Sequence, residues 1–312
     1  MKILVIGDLH GEMPKIHFKD FDCIVHIGDV CSDKGFRPFV DEYMRELEEN
    51  PDTEITFENL IENKLGKDGE KKLERASLLE GNKILKFLDS FGKPIFMVPG
   101  NWDQSYGETK IKDLDKNNYN YLKYFLDSYL GDKINPFLIK GVKNIRDCQF
   151  QLHEFLGINF VGYGLSSAYE KPNMRKKKGF SNKELEKLSR AYSKIKTKLS
   201  KVYLKRDKKL PTVFLTHNVP YGTKLDLMRK GSKHDGKHIG STVAREFCDK
   251  YQPMICVGGH MHEHFKKDKI GKTIAINAGF GEDANILIEI DTIKKKIKKI
   301  DFYSGYKFKN KK

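Results

Sequence analysis

KILVIGDLH, residues 2–10, is an apolar run that ends in a carboxylate and an imidazole two residues apart. Such a run, short and continuous, reads as a buried strand. The same pattern recurs four times: CIVHIGD (23–29), PIFMVPGNWD (94–103), TVFLTHN (212–218) and MICVGGHMH (254–262). Each places Asp, Asn or His just past an apolar stretch. Ligands at the ends of parallel strands converge on one edge of a sheet, which is where open α/β folds hold their sites. Carboxylate, imidazole and amide oxygen together suit divalent ions of borderline hardness such as Mn, Fe, Zn or Co, more than calcium or a thiolate-bound metal. An aspartate able to bridge two ions, with ligands on either side, is the arrangement for in-line displacement at phosphorus.

Read in order as D-x-H, G-D, G-N-W-D, H and G-H-x-H between residues 7 and 262, these motifs resemble the calcineurin-like metallophosphoesterase superfamily. A second, looser likeness is to a small prokaryotic phosphodiesterase-type branch, through PYGTKLD (220–226) and GKHIGS (236–241). The resemblance implies an α/β fold: a two-sheet mixed β-sandwich flanked by helices, four layers α/β/β/α. It puts Asp8, His10 and His262 on one metal ion, and Asn101, His217 and His260 on the other, with Asp29 bridging. The implied activity is binuclear metal-dependent hydrolysis of a phosphate ester, a phosphodiester before a monoester, by a metal-bridging hydroxide. Mn²⁺ is the expected cofactor, with Fe, Zn, Co or Ni as alternatives. Asp29 and Asn101 are then catalytic as well as ligating. Asp103 either accepts hydrogen bonds that orient its neighbours or caps the following turn.

Trp102 departs from the pattern. The family places a histidine there that contacts the phosphate and protonates the leaving group. An indole has one N–H donor and cannot act as acid or base. Family members with other residues at this position remain active, so the change bears on substrate range. His238 is the candidate substitute acid; it serves equally well as a turn residue before a helix starting at Ser241.

The chain of 312 residues is long enough for a substantial core and is expected to form a single domain. No apolar stretch approaches a membrane span. Five scattered cysteines without framework spacing fit a reducing, cytoplasmic setting. Cys31, two residues after Asp29, is weighed as a thiol beside the metals.

The net charge of +15 is concentrated. Residues 170–209 hold sixteen Lys or Arg against four Asp or Glu, and residues 294–312 hold nine against one, which leaves the rest at −5. Such segments attract nucleic acid, nucleotides or an acidic lipid surface, or simply serve solubility. A metal-dependent nuclease is therefore one alternative, and a non-catalytic scaffold on the same fold is another.

Along the chain, a helical insertion spans about 36–92, with 51–69 as a charged exposed excursion. An irregular insertion covers about 104–150, including a tyrosine stripe from Tyr119 to Tyr129 that suits helix packing or base stacking. Strands are expected at 150–155 and 157–164. The capping box Ser181–Glu184 opens a basic helix over about 181–206. The C-terminal strands at 273–277, 285–290 and 296–301 read as a second sheet, before a basic tail over about 294–312. His17 and His153 read as ordinary surface or core residues.

Overall fold

A computed structural model describes residues 1–50, 52–103, 137–166, 169–175, 181–229 and 235–305. Twelve strands among them form two six-stranded sheets. In the first, β1 (Lys2–Ile6), β2 (Cys23–His26), β3 (Ile95–Met97) and β4 (Ile145–Asp147) run parallel. Strands β11 (Ala284–Asp291) and β12 (Lys296–Ser304) extend it antiparallel on the β1 side. The second has the order β5 (Leu152–Phe155), β6 (Ile158–Tyr163), β7 (Thr212–Asn218), β8 (Ile255–Gly259), β10 (Thr273–Asn277), β9 (Lys267–Ile270). Its four central strands are parallel and its two edges antiparallel.

The apolar runs are explained by burial on both faces. Along β1, Ile3 and Val5 face the space between the sheets, whereas Leu4 and Ile6 face the helices outside. On β7, Val213 and Leu215 point inward and Phe214 outward. Period-two alternation thus distributes side chains between two dry layers, and no polar alternation remains to be read. Phe96 and Phe160 stack across the sandwich with centroids 4.0 Å apart.

Helices α1 (Arg37–Glu49), α2 (Phe57–Leu65) and α3 (Gly69–Asp89) lie on the first sheet's side. The short α4 (Pro172–Arg175) precedes α5 (Asn182–Tyr203), which with α6 (Thr242–Tyr251) covers the second sheet. Ser181 and Glu184 cap α5 reciprocally, and Tyr192, Ile195, Leu199 and Tyr203 form its buried stripe. These are the four layers α/β/β/α.

Two expectations are corrected. The 51–69 excursion contains α2, opened by a reciprocal cap between Thr56 and Asn59, with Ile61 buried beside Phe36 and Phe39. The charged residues there line the outer face of a helix. The C-terminal strands are not one added sheet: β10 joins the second sheet beside β8, whereas β11 pairs with β1, Lys2 opposite Glu289. Alternation records which faces are buried and carries no information about which distant strand is the neighbour. Most of the 104–150 insertion, its tyrosine stripe, and residues 306–312 of the tail lie outside the described residues. Among the described residues no helix is long and apolar enough to cross a membrane.

Candidate metal centre

The five motif strands divide between the sheets, β1, β2 and β3 in one and β7 and β8 in the other, so the candidate residues meet where the two C-terminal edges face each other. The loops after β1 and β2 are joined by hydrogen bonds from Asp8 N to Gly28 O (3.0 Å) and from His10 N to Asp29 O (2.9 Å). Asp8, His10, Asp29 and His260 all adopt positive φ, between 47° and 66°. Left-handed backbone at four residues of one cluster is costly and accumulates at functional sites. Here it turns each side chain away from its strand direction toward the gap between the sheets.

The side chains form one continuous cluster. His217 Nε2 lies 2.9 Å from Asn101 Oδ1 and 3.3 Å from Asp29 Oδ2. Ligand atoms of Asp29, His217 and His260 all fall within 4.8 Å of one another. On the other side, His10 Nε2 is 3.4 Å from His262 Nε2 and 3.8 Å from Asp29 Oδ2, and His262 Nε2 is 3.5 Å from Asp8 Oδ2. Asp29 therefore stands between two groups of donors. His217 Nδ1 is 2.9 Å from the Ile27 carbonyl, which fixes the ring and leaves Nε2 facing the cluster.

Close approach of backbone makes the cluster compact. A Cβ on Gly100 would lie 2.1 Å from Asp29 Oδ1, and one on Gly279 would lie 1.8 Å from Asp8 Oδ2. Asp103 is fully buried and accepts from Val30 N and Cys31 N (both 3.0 Å) and Gly100 N (2.8 Å), so it ties the Asp29 loop to the Asn101 loop.

Charge follows from this packing. Burial pulls His217 down, but Asp29 and then Asp8 outweigh it and lift its pKa to about 9. Burial opposes ionisation of Asp8 and Asp29 too, yet the neighbouring histidines hold both carboxyls below their ordinary value. His260, lowered to about 4 by burial and then by His217, is neutral at physiological pH. Two ionised, buried carboxylates among imidazoles make a field that attracts divalent cations. Asp8 Oδ1 is buried with no hydrogen-bond partner, an acceptor aimed into the cluster. Mixed oxygen and nitrogen donors, an orphaned carboxylate oxygen and neutral imidazole fit a pair of divalent ions.

Other candidates fall elsewhere. A Cβ on Gly81 of α3 would lie 3.0 Å from Cys31 Sγ, so this thiol packs against the helix. The Trp102 ring rests on Phe36 with centroids 5.8 Å apart, and its main-chain N–H donates to Asp29 Oδ1 at 2.8 Å. His238 Nδ1 is 2.8 Å from Asp226 Oδ1, on a loop tied to the cluster's neighbour by Asn218 Nδ2 to Ile239 O at 3.0 Å. Glu263 and His264 hold that loop, accepting from Arg229 N (2.7 Å) and meeting Leu227 O (2.6 Å) respectively. His17 pairs with Asp283, and His153 with the Asp147 carbonyl.

Sequence reasoning missed Asp33, Asn277 and Gly279, and gave Asp226 only as the end of the 220–226 loop. Asp33 Oδ2 lies 3.4 Å from His10 Nδ1 and also meets Arg37. Asn277 Nδ2 donates to Met261 O at 2.7 Å and its Oδ1 accepts from Gly279 N at 3.0 Å, which holds the strand-end turn beside His260 and His262. The only signal was Asn-Ala-Gly directly after a strand-like run.

Residues 1–264 match the family model for calcineurin-like phosphoesterases, and the chain belongs to that family. Membership carries metal-dependent phosphoester hydrolysis and divalent ions as the cofactor class. One solved crystal structure matches with TM-score 0.56 at 17% identity, over 97% of this chain and 99% of that one, a likeness of fold. TT1561 of Thermus thermophilus matches at 13% identity over 97% and 98%, TM-score 0.48. The phosphopantetheinyl hydrolase PptH of Mycobacterium tuberculosis matches at 12% over 90% and 89%, TM-score 0.44. Comparison with curated protein sequences gave no match.

Proposed function

We propose that this protein hydrolyses a phosphodiester at a binuclear centre held by Asp8, His10, Asp29, Asn101, His217, His260 and His262, with Asp29 bridging. The observation that carries it is a contiguous cluster: Asp29, His217 and His260 meet within 4.8 Å, and Asn101, His10, His262 and Asp8 join through neighbours no more than 3.8 Å apart. Divalent ions bound there, Mn²⁺ first among them, supply Lewis acidity to water and to the phosphate oxygens. Asn101 contributes an oxygen without another negative charge to repel the substrate. Among the described residues, the ion-pair partners of Asp8 and Asp29 are all histidines, with no Lys or Arg. Charge compensation of these carboxylates therefore falls to bound cations, and the diester preference rests on the likeness of residues 220–226 and 236–241 to a phosphodiesterase-type branch.

His238 is proposed as the proton donor to the leaving group. Asp226 fixes its Nδ1 side and is itself held by Thr223 N (2.8 Å), Gly222 N and Gly240 N (both 3.0 Å), which leaves Nε2 as the free face of an oriented ring. The nuclease alternative gains nothing from the lysines that end α5, which precede β7 and so lie away from the cluster at its C-terminal end. A scaffold has no use for a full ligand set.

The test is turnover of bis(nitrophenyl) against mono(nitrophenyl) phosphate by the chelated protein with Mn²⁺ restored. Faster diester turnover is expected; faster monoester turnover overturns the diester reading, and no turnover with any metal overturns both. His238→Ala should slow alkyl diesters by about 10²-fold or more and barely affect nitrophenyl esters, whose leaving groups need no proton. A uniform loss on both would make His238 a loop strut.

A further inference from the structure

The three most exposed large apolar side chains among the described residues are Ile293 (91%), Leu204 (58%) and Leu156 (55%). They are far apart in sequence and share one edge of the molecule. Leu156 occupies the β5–β6 turn, Leu204 caps the end of α5 before β7, and Ile293 sits in the β11–β12 turn. All three places lie at the N-terminal edges of β6, β7 and β1, since β11 runs antiparallel to β1. Contacts join them: a Cβ on Gly157 would lie 3.7 Å from Thr292, and Asn159 Nδ2 donates to Asp207 O at 2.8 Å. Leu156 also adopts φ 46°, a left-handed position where Asn or Gly is the usual occupant of a hairpin turn. A leucine there is both exposed and strained.

Lysines surround these tips. Lys205, Lys208 and Lys209 follow Leu204, and Lys294, Lys295 and Lys296 follow Ile293; all six are exposed and in no ion pair among the described residues. The acids beside them are fewer: Asp207 accepts from Lys209 N (2.7 Å), Asp291 from Lys294 N (2.8 Å), Asp249 pairs with Arg245 (2.9 Å), and Glu154 is exposed near Leu156.

We infer that this edge is a peripheral docking surface for an anionic bilayer, with Leu156, Leu204 and Ile293 inserting at the headgroup level and the lysines contacting acidic lipid. Aliphatic insertion and a basic patch are each weak anchors, and stable reversible attachment takes both. Nucleic acid fits less well. A single strand calls for rings that can stack, whereas the rings here, Tyr203 and Tyr251, pack on each other at 4.6 Å with Arg206 over Tyr203. A duplex held through its phosphates gives the three aliphatic tips no partner. A second copy of the chain would set lysine against lysine. The seven residues of β7 separate this edge from the metal centre by about 20 Å, so the docked protein opens its centre toward the aqueous side.

The test is flotation of the full chain with vesicles of phosphatidylcholine alone, or with roughly a third phosphatidylserine. Wild type should float only with the acidic vesicles, and less as salt rises. The triple variant L156S/L204S/I293S should bind at least about tenfold more weakly, with thermal midpoint and bis(nitrophenyl) phosphate turnover unchanged. Failure of wild type to float, equal flotation with neutral vesicles, or full binding by the triple variant overturns the inference. So does tighter binding to single-stranded RNA that ignores the three tips. Turnover is read separately, so a failure here leaves the hydrolase reading intact.

Discussion

His217 carries the largest raised pKa among the histidines of the cluster. Its folded-state pKa of about 9 lies above the ordinary histidine value of 6.5. The protonated ring therefore stabilises the metal-free fold below pH about 6.5, and that contribution is lost as pH rises through about 9. Metal binding has the opposite sign, because the ion must displace this proton. Mn²⁺ affinity should therefore climb between pH 6 and about 9, with proton release seen by calorimetry in buffers of different ionisation enthalpy. A flat affinity across that range would remove His217 from the ligand set. Trp102 gives the second residue-scale prediction. Trp102→His should speed alkyl diesters by about tenfold or more and leave nitrophenyl esters unchanged, if restoring the imidazole restores an acid. Equal change on both substrates would show that the indole acts through its contact with Phe36 alone. The clustered residues were legible because each follows an apolar run and five such endings recur in order. Gly279 and Asp33 were not, since a lone glycine or aspartate gains meaning only when folding brings it to Asp8 or His10.

Among elements, the junction of β2 and β3 depends on one carboxylate. Asp103 accepts from three buried main-chain N–H groups belonging to two loops. Burial, and then Asp29, raise its pKa, and the N–H groups of Gly100 and Cys31 act against that rise. Asp103→Ala would leave the three unpaired, at about 1–3 kcal/mol each. The expected outcome is destabilisation of about 3 kcal/mol or more by urea unfolding, together with weaker Mn²⁺ binding through displaced Asp29 and Asn101. Loss of stability with unchanged metal affinity would separate the two loops energetically. The strands themselves were readable from their apolar runs, and α5 from its capping box. The helix α2 was not, because it is only nine residues long. Phe57, Leu60, Ile61 and Leu65 keep helical spacing, but so short a run is outweighed by the charged residues around it. The β1–β11 pairing escaped for another reason: it joins residues nearly the whole chain apart, and alternation on β11 is equally consistent with either sheet.

Over the whole molecule, the two sheets hold different halves of the candidate site. Asp8, His10, Asp29 and Asn101 come from the first and His217, His260 and His262 from the second. The dry layer between them, with Phe96 stacked on Phe160, fixes how the halves meet. If Asp29 bridges two ions as proposed, such a centre would bind both together or hold neither well. Titrating Mn²⁺ into the chelated protein by calorimetry tests that directly, with wild type compared against Asp29→Ala. Two ions per chain for wild type, and loss of both in Asp29→Ala while the fold persists, is the predicted result. Fewer than about one ion per wild-type chain at saturating metal, or two ions still bound without Asp29, would contradict it.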